Sequence, residues 1–208
     1  SLQRQQVDVF YAACNIVPWM VQCPTVLSLH DLHWFHLSHL FSASKRIYLW
    51  SAIGSSVRRA KIITTLSESS AQDIQHFFGT SRAKIQVLPA AVSPIFTSGS
   101  REKRREFISQ RYGINKPFIL HVGETLKRKN LVRLIEAYEL LVRERRLKHR
   151  LVLVGRKGDG HDGIVKAIGR LDLANDVLLM GPVSSDEALI SFYGAADVVA
   201  YPSLYEGF

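Results

Sequence analysis

Short apolar runs alternate along the chain with longer amphipathic stretches. The runs PTVLSL (24–29), KIITTL (61–66), KIQVL (84–88), FILHV (118–122), LVLVG (151–155), VLLMG (177–181) and DVVAY (197–201) are rich in Val, Ile and Leu and bounded by polar or turn-forming residues. Such runs predict buried strands. Between them, ASKRIYLWSAIGSSVRRA (43–60), SSAQDIQHFFG (69–79), NLVRLIEAYELLVRERR (130–146) and DEALISFYGAA (186–196) place apolar residues at helical spacing, several opened by Ser, Asn or Asp and closed by Gly. Strand–helix–strand alternation predicts an α/β fold with parallel sheets and helices on both faces.

Composition refines this picture without overturning it. The 208 residues are 47% hydrophobic and 22% charged, which supplies a core and leaves too little bias for disorder. The net charge of +9 is concentrated near the middle, where Arg101, Lys103, Arg104, Arg105, Arg111 and Lys116 face only Glu102 and Glu106. That stretch reads as a linker plus an exposed helix. It divides the chain into a partial Rossmann-like half over 1–100, a basic connector over 101–116 and a second partial half over 117–208. The first half shows about three strands and the second four, fewer than a doubly wound domain usually has, so the chain is expected to be part of a longer protein.

No run of about 18 apolar residues is present, and the opening SLQRQQVDVF lacks the order of a secretory signal, so a cytoplasmic location is expected. The basic segment offers a peripheral contact with anionic lipid at the cytoplasmic face of a membrane. Nucleic acid is not an expected partner, because no helix-turn-helix, zinc-finger or aromatic-plus-glycine RNA signature accompanies the charge. Cys14 and Cys23 are spaced neither as a metal pair nor as a redox pair and read as small buried hydrophobes in a reducing compartment.

Ligands of open α/β sheets sit beyond the carboxyl ends of strands, and four such places carry candidate chemistry. After FILHV comes GETLKRKN: Gly123 permits a sharp turn, Lys127, Arg128 and Lys129 bring charge, and Asn130 is placed to cap a helix whose first N–H groups attract anions. This combination predicts a phosphate site. After LVLVG, the stretch GRKGDG has Gly155, Gly158 and Gly160 but neither the dinucleotide nor the P-loop spacing; it is an ordinary turn or a supporting wall of the ligand cleft. In SLHDLHWFHLSHL, His30, His33, His36 and His39 recur every three residues, which would drift around a helix, so no metal site is expected. His30 and Asp31, at the strand end, are placed to face a cleft between the halves, where a histidine could hydrogen-bond a substrate hydroxyl. Finally YPSLYEGF brings Glu206 to a strand end before Gly207, suited to accept hydrogen bonds from sugar hydroxyls.

Taken in order, LSLHDLHWFH, AKIITTLSESSAQDI, KIQVLPAAVSPIF, FILHVGETLKRKNLVRLIEAY, LVLVG and VLLMGPVSSDEALISFYGAADVVAYPSLYEGF resemble the retaining glycosyltransferases of family 4, the glycosyl transferases group 1, from about Asp8 to Phe208. The resemblance implies the GT-B fold, two Rossmann-like domains with parallel sheets facing a central cleft. It implies a hexosyltransferase that uses a nucleotide-diphosphate sugar as donor and a glycan or lipid-linked molecule as acceptor in polysaccharide biosynthesis, with no cofactor and no metal. By position, Lys129 matches the family lysine at the donor diphosphate, with Gly123 and Arg128 beside it. Glu206 matches the first glutamate of the family's pair, with Gly207 and Phe208 offering backbone near the sugar. His30 matches the histidine that approaches the transferred sugar, and Val183 falls where the nucleobase is lined.

Departures accompany these matches. Glu124 stands where relatives often have arginine, and PAAV at Pro89 to Val92 replaces PNGV. The second glutamate of the pair and the first strand with its glycine loop are expected outside this sequence. A GT-B sugar-nucleotide epimerase and a non-catalytic nucleotide-sugar-binding protein remain alternatives on the residues alone.

Overall fold

The computed structural model describes residues 7–96, 99–144 and 147–208. Its contacts divide the chain into two units. One runs up to Ala91 and includes Tyr205–Phe208; the other is Val92–Leu204.

The first unit has four parallel strands, β1 (Phe10–Ala12), β2 (Thr25–Ser28), β3 (Ile62–Thr65) and β4 (Ile85–Val87), in that spatial order. β1 is a fourth strand where three were expected. Helix α1 (His33–His36) is one turn; α2 (Ala43–Arg59) and α3 (Glu68–Phe78) are longer and begin at Ser42 and Ser67, whose side chains accept from the amides of Lys45 and Ser70. These serine caps satisfy donors that a helix start leaves open. Leu27 and Ile63 from the sheet, with Leu29 just after β2, meet Ile53 and Val57 of α2 and Ala71 and Ile74 of α3 in one core. Cys14 is exposed and Cys23 half-buried, which corrects the expectation of buried cysteines. They lie in irregular chain between β1 and β2, where Val17 and not either cysteine turns into the core.

In the second unit, β5 (Phe118–Val122), β6 (Arg150–Val154), β7 (Val177–Gly181) and β8 (Val198–Val199) form a parallel sheet in the order β7-β6-β5-β8. Its helices are α4 (Arg101–Tyr112), α5 (Leu131–Arg143), α6 (His161–Arg170) and α7 (Asp186–Ala195). The expected extension of α5 over 145 and 146 lies outside the described residues. Alternate residues of β6 point to opposite faces: Leu151 and Leu153 join the core under α5 and α6, while Val152 and Val154 join Phe192, Ile108 and Leu120 on the other face. A strand buried on both faces needs the unbroken apolar run that LVLV supplies.

Helix α4 covers most of the basic segment and packs against α7 within this unit. Its cations are partly committed there. Arg101 and Arg105 donate to the Asp197 carboxylate at 2.5 and 2.7 Å, and the Phe118 amide donates to its other oxygen at 3.2 Å. Burial opposes the charge of Asp197, but Arg105, Arg101 and the Phe118 amide outweigh it and hold the carboxyl below its ordinary range. A carboxyl with a lowered folded pKa stabilises above the unfolded value of about 3.9 and loses that contribution as pH falls through the folded value. Asp197→Ala is therefore expected to destabilise this unit by about 2 kcal/mol at neutral pH. In urea titrations the difference should shrink as the pH is taken below about 4.

Candidate functional site

The second sheet changes direction of travel beside β5. Chain order runs β5, β6, β7 to one side, then α7 carries the chain back to place β8 on the other side of β5. The carboxyl ends of β5 and β8 thus flank a topological switch point, where parallel sheets leave room for a ligand.

The two segments leaving those strands are bonded to one another. Tyr201 donates from its hydroxyl to the Val122 carbonyl at 2.9 Å and meets the Tyr193 hydroxyl at 3.0 Å. Burial and that partner hydroxyl raise the pKa of Tyr193, so its phenol is neutral. The Leu204 amide donates to the Arg128 carbonyl at 2.9 Å, and the Asn130 side-chain amide to the Pro202 carbonyl at 3.1 Å. Buried His121 lies with Nδ1 2.9 Å from the Ala200 carbonyl. The Lys129 ammonium is 5.9 Å from the centre of the Tyr201 ring.

Gly123, Arg128 and Lys129 fall together in this turn, Lys127–Lys129 forming one 3-10 turn directly before α5. Gly123 has φ 154°, in the region that favours glycine. Asn130 does not cap α5 as expected. It adopts a left-handed conformation (φ 58°) and turns its side chain to Pro202, so the first turn of α5 receives no side-chain cap. An uncapped helix start behind three cations concentrates positive potential at the end of β5. Glu124 works against this and is answered by Arg156, 2.7 Å away.

The glycine stretch 155–160 supports that turn. The Gly158 amide donates to the Thr125 hydroxyl at 2.9 Å, Gly160 to the Thr125 carbonyl at 2.8 Å, Thr125 to the Arg156 carbonyl at 3.0 Å, and Lys127 to the Asp159 carboxylate at 2.9 Å. A Cβ on Gly160 would stand 2.9 Å from the Lys127 nitrogen, so only glycine permits this approach. GRKGDG is thus tied by hydrogen bonds to the turn that follows β5.

Val183 lies apart from this turn. It follows β7, is half-buried, and packs on the core cluster of Phe192 and Ile108.

In the first unit, His30 follows β2, is exposed, and has Nε2 3.3 Å from the Ala13 carbonyl. Gly207 packs behind it: a Cβ there would stand 2.8 Å from the His30 carbonyl. The Gly207 carbonyl accepts from Ser67 at 2.7 Å and Ser70 at 2.9 Å. Tyr205 donates to Asp73 at 2.6 Å and stacks on His36, whose Nε2 is 2.8 Å from the same carboxylate. Burial, then the Asp73 hydrogen bond and charge, push the Tyr205 phenol well above its ordinary range. These contacts set the backbone on both sides of Glu206, which is exposed, as is the Phe208 side chain. His33 goes to Asp31 at 2.7 Å, so His33 and His36 take different carboxylates rather than converging on one point. Ser67, Ser70 and Asp73 were not singled out from the sequence; their only signal is the run SESSAQD, which also serves as an ordinary helix start.

Comparison with known proteins gives this geometry a context. The chain is 28% identical over 183 residues to the O-antigen chain mannosyltransferase B of Escherichia coli, covering 88% of this chain and 48% of that protein. The chain thus spans about half the length, or less, of the curated relatives it matches. Among solved structures, Anabaena HepE in complex with UDP-glucose superposes with a TM-score of 0.74 at 18% identity, covering 97% of this chain and 55% of that one. WaaG, a glycosyltransferase involved in lipopolysaccharide biosynthesis, gives 0.73 at 19% identity, covering 99% and 56%. These likenesses show the α/β fold with two parallel sheets found in GT-B glycosyltransferases. The family described as Glycosyltransferase Family 4 matches residues 1–95 and that described as Glycosyl transferases group 1 matches residues 104–208. With a switch-point turn of three cations in the half that the second match covers, the chain belongs to the group 1 glycosyltransferases.

Proposed function

We propose that the protein is a retaining glycosyltransferase that moves a hexose-type sugar from a nucleotide-diphosphate sugar to a glycan or lipid-linked acceptor. The observation that carries this reading is the turn Lys127–Lys129 before the uncapped start of α5, at the switch point of a parallel sheet. A nucleoside diphosphate is a good leaving group once its developing charge is met by fixed donors. Lys129 and Arg128 supply that charge, Gly123 lets the backbone approach, and the α5 amides complete the set. Glu206 accepts from the sugar hydroxyls, Gly207 and Phe208 present backbone beside it, His30 approaches the transferred sugar, and Val183 lines the nucleobase. Mannosyltransferases among the relatives support a hexose-type sugar.

In the transfer, the bond from the anomeric carbon to the diphosphate oxygen breaks while the acceptor hydroxyl bonds to that carbon from the same face. The acceptor proton passes to the departing phosphate oxygen, and configuration is retained. Fixed cations take the role a divalent ion would have, so the proposed reaction needs no metal. The test is turnover by the full-length protein with UDP-, GDP-, ADP- and dTDP-sugars, with the product's anomeric configuration read by proton NMR. A retained product at a rate that EDTA changes by less than about 2-fold is expected, since no metal term enters the charge balance. An inverted product or an EDTA-abolished rate would overturn the mechanism. An altered sugar still on its nucleotide would mean an epimerase, and donor binding without product a binding protein.

A further inference from the structure

Helix α2 has two halves of opposite character. From Ile53 to Val57 every residue is buried, whereas Ile47 is 71% exposed, Tyr48 61% and Trp50 51%. Beside these, Trp34, Phe35 and Phe77 line an open apolar groove of about 590 Å³. Its floor is well packed: the Phe35 ring lies 5.2 Å from Trp50 and 5.1 Å from Phe77. Residues 32–67 contain Lys45, Arg46, Arg58, Arg59 and Lys61 and not one Asp or Glu. Lys45 and Arg46 stand exposed in the first turns of α2, the end where a cation opposes the helix dipole.

In water both features are unfavourable: large apolar side chains meet solvent, and cations sit at the wrong end of a helix. At an anionic bilayer surface both become favourable. Trp and Tyr partition to the headgroup level, Ile reaches the acyl boundary, and Lys and Arg meet lipid phosphates. We propose that the amino-terminal half of α2, through Lys45, Arg46, Ile47, Tyr48 and Trp50, docks the protein on an anionic lipid membrane. Helix α4, although richer in cations, has Arg101 and Arg105 engaged with Asp197, and it carries no comparable exposed aromatic set. The inference is independent of the donor reading.

The test is vesicle co-sedimentation of the full-length protein, with phosphatidylglycerol–phosphatidylcholine vesicles against phosphatidylcholine alone. Preferential binding to the anionic vesicles is expected. It should fall by about 10-fold or more in Lys45→Glu/Arg46→Glu and in Ile47→Ser/Trp50→Ser, and persist in Lys103→Glu/Arg111→Glu. Nucleotide-sugar binding, followed by saturation-transfer NMR, should be unchanged in the α2 variants, which separates a failed surface from a misfolded chain or a failed donor reading. Equal binding to both vesicle types, or binding unaffected by the α2 changes, overturns the proposal. So does a Trp50 already shielded from acrylamide in the lipid-free full-length protein, since the face would then be an internal interface.

Discussion

Lys129→Ala is expected to abolish detectable saturation transfer from the protein to its nucleotide sugar and to lower kcat/KM by about 100-fold or more, the scale seen when one fixed donor to a developing negative charge is removed. The side chain sits in a turn held by backbone and glycine contacts that do not involve its ammonium: the amides of Lys129 and Asn130 bond to the carbonyls of Leu126 and Lys127, and Thr125 bonds to Gly158 and Gly160. The melting temperature of the variant is measured alongside, and an unchanged value lets the loss be read as lost charge at the ligand. Lys166→Ala, an exposed cation on α6, is the matched control and should leave kcat/KM and donor binding unchanged. Lys129→Arg separates charge from shape: partial recovery is expected if a positive charge is the main requirement. Unimpaired binding in Lys129→Ala would remove the diphosphate from this turn.

The second large effect is on stability. Gly155→Ala asks for a side chain at φ 149°, and the new Cβ would run into the Gly123 carbonyl. Strain at such a backbone position costs about 1–3 kcal/mol before any clash with neighbouring atoms. The clash is with backbone, which cannot rotate away as the end of a side chain can. A total of about 3 kcal/mol or more is expected, lowering the melting temperature by on the order of 10 °C. Because Gly155 backs the turn that leads to Lys129, donor binding should weaken as well. Gly79→Ala is the comparison: it also has positive φ (61°) but nothing within 4 Å of the new atom, so only about 1 kcal/mol of strain is expected. Equal losses in the two variants would show that conformation alone, and not the approach of the two loops, makes glycine necessary at 155.

Hydrophobic pattern by itself determined the parallel α/β architecture, because a strand covered on both faces must be apolar at nearly every position, and LVLV and FILHV say so locally. It missed β1, whose three residues Phe10–Ala12 leave Tyr11 exposed and present no run. It missed α6, where Gly163 and Gly169 dilute the helical period. The phosphate turn was also legible, since Gly123, Arg128 and Lys129 are neighbours in the chain and their meeting needs only a local turn. Tertiary structure alone decided the rest. That Asn130 turns to Pro202 instead of capping α5 depends on where β8 lies. That the Gly207 carbonyl finds Ser67 and Ser70, 140 and 137 positions away, is written in no local pattern. Which cations remain available was equally a matter of packing: Asp197 takes up Arg101 and Arg105 of the conspicuous basic segment, while Lys45 and Arg46, modest in sequence, stand beside an exposed aromatic face. Charge and polarity are fixed by residue type, but their partners are fixed by distance in space, and only the folded chain sets that distance.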